Sequence, residues 1–155
     1  MKTKIISAVI LALFPVLCVA KAEAEDCAKE SLQWYQKAAK QGNAEAEDCL
    51  GNDYIGGAGG FRSRRAIYWF HKSAEQGYAP GELDLGMIIG SQNCNRSLYW
   101  MQKAVNQRYG NAEIIVSLDY LNGTDCLPKN HNKATYWMQK AANQGNAFAK
   151  DFLKP

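Results

Sequence analysis

Residues Thr135 to Ala147 read "TYWMQKAANQGNA", and thirty-seven residues earlier, from Leu98 to Gly110, the chain reads "LYWMQKAVNQRYG". Aligning on tryptophan extends the pair to four copies. Trp34, Trp69, Trp100 and Trp137 are spaced by 35, 31 and 37 residues. Three positions before each stands a small residue: Ser31, Ala66, Ser97, Ala134. Three after stands a lysine (Lys37, Lys72, Lys103, Lys140), and seven after a glutamine (Gln41, Gln76, Gln107, Gln144). Position +8 holds Gly42, Gly77, Arg108 and Gly145, and position +16 holds Leu50, Leu85, Val116 and Leu153. Agreement at so many offsets defines a repeat with a period near 35.

Each copy reads as two short helices. Small and apolar residues at −3, 0, +1 and +4 follow a helical period. Glycine at +8 suits a position of positive φ that ends the first helix. A second apolar series, such as Leu83, Leu85 and Ile89, begins the next one. Loops such as "GGAGGF" and "NGTDCLPKN" then lead onward. One such hairpin cannot bury its apolar face, so consecutive hairpins must stack into a solenoid.

The stretch "WYQKAAKQGNAEAEDCLGNDYIGGAGG" resembles the Sel-1-like repeat, a relative of the tetratricopeptide helical hairpin. The match lies in an A-x-x-W-Y-x-K-A-A-x-x-G-x-A core followed by L-G-x-x-Y and a glycine-rich loop, and it covers about residues 28–155. The resemblance implies an all-α fold: a short right-handed α/α solenoid of about three and a half hairpins over residues 23–155. It also implies a protein-binding scaffold. Arg108 in place of the turn glycine, and Ile89 in place of the tyrosine, depart from the pattern. So does a shorter second connection.

The first residues stand apart. Lys2 and Lys4 precede an apolar run from Ile5 to Val19, and small residues follow at Ala20, Ala22 and Ala24. That order reads as a secretory signal peptide over residues 1–22, too short to span a bilayer, which places the mature protein in the periplasm or outside the cell. Of 18 Lys and Arg, three (Lys2, Lys4, Lys21) fall in this segment, leaving 15 against 15 Asp and Glu. A near-neutral chain argues against a nucleic-acid partner. Beyond Cys18, four cysteines remain: Cys27, Cys49, Cys94 and Cys126. An even number in an exported chain reads as two disulfides. Cys94 and Cys126 flank the third hairpin at similar distances from its turn, which brings them to the same open end. Cys27–Cys49 follows by elimination and fits less well. The other pairings stay open.

At about 100° per residue, positions −3, +1, +4 and +5 share one packing arc. Position −1 points nearly opposite and carries Gln33, Tyr68, Tyr99 and Tyr136. First helices line the concave wall of a solenoid, so these tyrosines form a ladder there, flanked by His71, Lys72, Gln102, Lys103, Gln139 and Lys140. Tyrosine offers contact area, a polar tip and little rotamer entropy, which suits an interface. Packing against the neighbouring hairpin is the competing account of each ring, and a solvated face that of the lysines.

Reactive chemistry is not visible. His71, on the outward face, and His131, in the polar loop "KNHNK", stand in no metal-ligand spacing, and no C-x-x-C, G-x-S-x-G or P-loop occurs. The sequence therefore predicts no enzyme, no metal and no cofactor. It predicts a scaffold that holds a periplasmic protein or peptide. Resemblance suggests an immunity protein neutralising a type VI secretion effector, or else a regulator or assembly factor. A β-lactam-binding or hydrolysing protein is a weaker alternative. At the last copy, Phe148, Phe152 and Leu153 are expected to fold over the final pair.

Overall fold

The computed structural model describes residues 29–56, 63–124 and 126–154. Among the described residues, eight α-helices fall into four hairpins. The first pairs α1 (Lys29–Lys40) with α2 (Ala44–Gly56), and the second pairs α3 (Arg64–Glu75) with α4 (Ala79–Ile89). A 3-10 turn, Gly90–Gln92, makes the short second connection. The third hairpin joins α5 (Cys94–Asn106) to α6 (Gly110–Asn122), and the fourth joins α7 (His131–Asn143) to the six-residue α8 (Ala147–Phe152). No strand occurs among the described residues.

All four first helices end the same way. Gly42, Gly77 and Gly145 have φ of 83°, 77° and 95°. Each donates its N–H to the carbonyl three residues back in the last turn, while the following residue donates to the carbonyl one step earlier. In the first copy these bonds are Gly42 N to Ala39 O and Asn43 N to Ala38 O, the Schellman pattern. Arg108 makes the same turn with a φ of 60°, a left-handed conformation adopted by a side-chain-bearing residue. The local turn survives without glycine.

The expected packing arc is buried. Phe70 and Ala74 of α3, Met101 and Val105 of α5, and Met138 and Ala142 of α7 all face the core. The apolar clusters straddle the junctions between hairpins. Leu83 of α4 packs with Met101 and Ala104 of α5, and Tyr54 of α2 packs on the cluster around Phe70 and Leu85. Full burial of a side chain such as Phe70 stabilises by about 2–3 kcal/mol. Close approach is needed here: a Cβ at Gly86 would lie 2.6 Å from Met101 Cγ and 3.1 Å from the Ser97 carbonyl oxygen.

A disulfide joins Cys94 to Cys126 with Cα atoms 5.0 Å apart, closing the open end of the third hairpin as the sequence predicts. Cys49 is half-buried on α2; its expected partner Cys27 lies outside the described residues, as do residues 1–22 and most of "GGAGGF". Two expectations need correction. His131 opens α7 rather than lying in the loop, since Asn130 accepts the Lys133 N–H and starts the helix there. At the far end only Leu153 folds onto the core. The Phe148 and Phe152 rings stay exposed with centroids 6.2 Å apart, because they share one face of α8 while Ala149 and Leu153 take the inward one.

Candidate partner-binding face

Exposure at position −1 of the first helices tells whether these rings pack against a neighbouring hairpin. Tyr68, Tyr99 and Tyr136 are 56%, 58% and 59% exposed. Near-equal values on α3, α5 and α7 place the three rings in equivalent, uncovered positions. They do not pack under the neighbouring hairpin. Each meets the following tryptophan edge-on, with centroids 5.0–5.1 Å apart. Three exposed phenol rings, each backed by a tryptophan, thus line one side of three successive first helices.

The flanking residues differ between copies. Gln102 donates to Asn106 at 2.9 Å and Gln139 to Asn143 at 3.0 Å, so the third and fourth copies present neutral amide pairs. The second copy instead carries His71 against Glu75 at 3.4 Å, and the His71 ring meets Trp100 edge-on at 6.0 Å, bridging α3 to α5. A shallow depression of about 450 Å³ opens there between Arg64, Tyr68, His71 and Lys72.

The lysines serve a purpose that the solvated-face account misses. Lys72 Nζ lies 3.1 Å from Glu47, Lys103 3.1 Å from Glu82, and Lys140 3.8 Å from Glu113. All three carboxylates are fully buried. The same glutamates accept from Gln76 at 2.6 Å, Gln107 at 2.8 Å and Gln144 at 2.5 Å. In each joint the ammonium stands beside Oε1 and the glutamine amide beside Oε2. Each glutamate also sits near the start of a second helix, where the macrodipole favours an anion. Lys72 is raised above the ordinary lysine range, chiefly by its contact with Glu47. Each lysine further lies over its own tryptophan, at 5.4, 4.6 and 4.7 Å from the ring centre.

These joints connect each hairpin to the next. Their sequence signal is a glutamate thirteen residues after tryptophan: Glu47, Glu82, Glu113. The fourth copy has Lys150 there. Reading the copies for core residues alone passes over it. For the face itself, the joints mean that the lysine charges are balanced from within. What remains outward on the third and fourth copies is aromatic and amide.

No cluster of His, Cys, Asp or Glu suited to a metal occurs among the described residues, and none of their helices is long and apolar enough to cross a membrane.

The Sel1 repeat model matches residues 25–43, 50–78, 81–109 and 112–146. No curated protein matches the chain. Among solved structures, a protective antigen of uropathogenic Escherichia coli with an SLR fold is 29% identical at a TM-score of 0.65. The alignment covers 79% of this chain but only 28% of that antigen. A Sel1 repeat protein from Oxalobacter formigenes is 28% identical at a TM-score of 0.63, over 76% of this chain and 94% of its own. With repeat matches spread from residue 25 to 146 and the same hairpin stack, the chain belongs to the Sel1 repeat family.

Proposed function

We propose that this chain is a non-enzymatic, exported scaffold that holds a partner protein on its first-helix face. Family membership supports the general role, since Sel1 repeats are interaction scaffolds. One observation carries the local assignment: Tyr68, Tyr99 and Tyr136 stand uncovered in register on three consecutive helices. With Lys72, Lys103 and Lys140 balanced by buried glutamates, the partner surface that fits is uncharged and rich in aromatic or amide groups. Gln102 and Gln139 supply both donors and acceptors toward it.

The leader-like segment supports a periplasmic setting. Within that setting we favour an immunity role against a secreted effector, and a regulator or assembly factor is the alternative. The two separate by deletion: loss of an immunity protein exposes the strain to kin attack, whereas loss of a regulator alters signalling or surface structures.

The direct test is affinity capture from periplasmic extract, read by mass spectrometry, with wild type and with Tyr68, Tyr99 and Tyr136 all replaced by Ala. Wild type should retain a partner that the triple variant loses at unchanged helicity. Equal capture by both removes this face from the assignment.

A further inference from the structure

A second polar cluster lies on the second helices, away from the tyrosines. Asp48 of α2 is only 8% exposed, and its Oδ1 has no hydrogen-bond partner. Asp84 stands on α4, on the other side of the junction between the first two hairpins. Asn52 joins the two sides, donating to the Asp48 carbonyl at 3.3 Å and to Asp84 Oδ2 at 3.1 Å.

Among the described residues, no lysine, arginine or histidine forms an ion pair with Asp48 or Asp84. Lys72 of α3 is turned to Glu47, and Lys37 and Lys40 of α1 are exposed. The titratable groups that do face the pair are acidic or phenolic. Glu45 and Cys49 stand on α2 itself, Tyr78 precedes α4, and Tyr109 precedes α6 with its hydroxyl accepting from Asn111 at 3.0 Å. Two carboxylates cannot both stay ionised in such surroundings without a large cost.

We propose that Asp48 and Asp84 form a proton-sharing carboxyl pair, so that the array takes up a proton on folding and its first junction is held more firmly in acid than at neutral pH. The proton supplies what the buried geometry lacks, a donor beside Asp48 Oδ1. Burial pushes both groups above the usual aspartate range; the Asp84 and Glu45 carboxylates push Asp48 further, while the hydrogen bond from Asn52 draws Asp84 part of the way back. A carboxyl raised on folding contributes stability in full below its unfolded value. That contribution is lost as the pH climbs through the folded value. The loss therefore falls on the alkaline side of ordinary aspartate titration, opposite to the behaviour of a salt-bridged carboxylate.

The test is thermal unfolding of the disulfide-intact chain, without partner, at steps from pH 5 to pH 8, for wild type, Asp48→Asn and Asp84→Asn. Asp48→Asn should melt several degrees above wild type at pH 8, and the gap should narrow toward pH 5. A gap that is constant with pH, or a variant less stable than wild type at pH 8, overturns the proposal. Should Asp48→Asn fail to fold, carboxyl carbon NMR titration of the wild type decides: a midpoint clearly above about 4 for either residue supports sharing, and two ordinary midpoints refute it. Millimolar calcium at pH 8 is the final arm. Stabilisation of wild type but not of Asp48→Asn would assign the pair to a metal ion instead of a proton.

Discussion

Lys103 of the third hairpin places its Nζ 3.1 Å from Oε1 of Glu82 in the second, a carboxylate with no exposed surface. Gln107 holds the other oxygen at 2.8 Å and also donates to the Gly77 carbonyl at 2.9 Å. Removing the lysine strands a buried charge, whereas removing the charge strands only a half-exposed ammonium. Lys103→Met should therefore cost roughly 3 kcal/mol. Glu82→Gln should cost about 1 kcal/mol, because the amide keeps the shape and water reaches the lysine. Urea unfolding at neutral pH measures both. The reverse order would show that the joint is not electrostatic.

Arg108 holds a φ of 60° at a turn where the other copies use glycine. Its side chain is exposed, so little packing is lost on substitution. Arg108→Gly should raise stability by about 0.5–1 kcal/mol, the relieved left-handed strain outweighing the added freedom of the unfolded chain. A rise of a few degrees in Tm is the expected reading, and a fall would contradict it.

The Cys94–Cys126 bridge spans 32 residues. Loop-closure entropy for that length amounts to about 3–4 kcal/mol. Replacing both cysteines by Ala, or reducing the wild type, should lower stability by about that amount while the other hairpins keep their helicity. Circular dichroism with and without reductant checks it.

Partner binding should respond weakly to salt. The lysines of the face are balanced by buried glutamates, so few counterions are released on association. The affinity of the captured partner should change less than about threefold between 50 and 300 mM salt, since exposed charges are what salt screens. A steep decline would point to the Arg64–His71 depression as the principal contact.

Much of the architecture was legible because a solenoid repeats its reasons. Tryptophan spacing located every first helix, and glycine at +8 located three of the four turns. The Arg108 turn was a departure from the pattern, and only the structure shows that it keeps the same conformation. The outward register of Tyr68, Tyr99 and Tyr136 also came from the helical period alone. The joints did not. Glu47 and Lys72 lie 25 residues apart in different hairpins, so neither helix period nor local motif connects them. Only a comparison of the second helices across copies would have found the glutamate. The Asp48–Asp84 pair was harder still, because it occurs at one junction and no repetition advertises it. The end of α8 was misread for a related reason: an apolar pattern says that residues need a cover, not that the chain itself supplies it.

The glutamate joint has a bearing on how such arrays change length. Every middle hairpin carries a lysine and glutamine on one flank and a glutamate on the other, so the two flanks mate in a single orientation. A tandem duplication of one module would seat between its neighbours at once, with both junctions already matched. Growth or shrinkage of the stack then requires no new adhesive surface, and the recognition face can be lengthened by whole rungs.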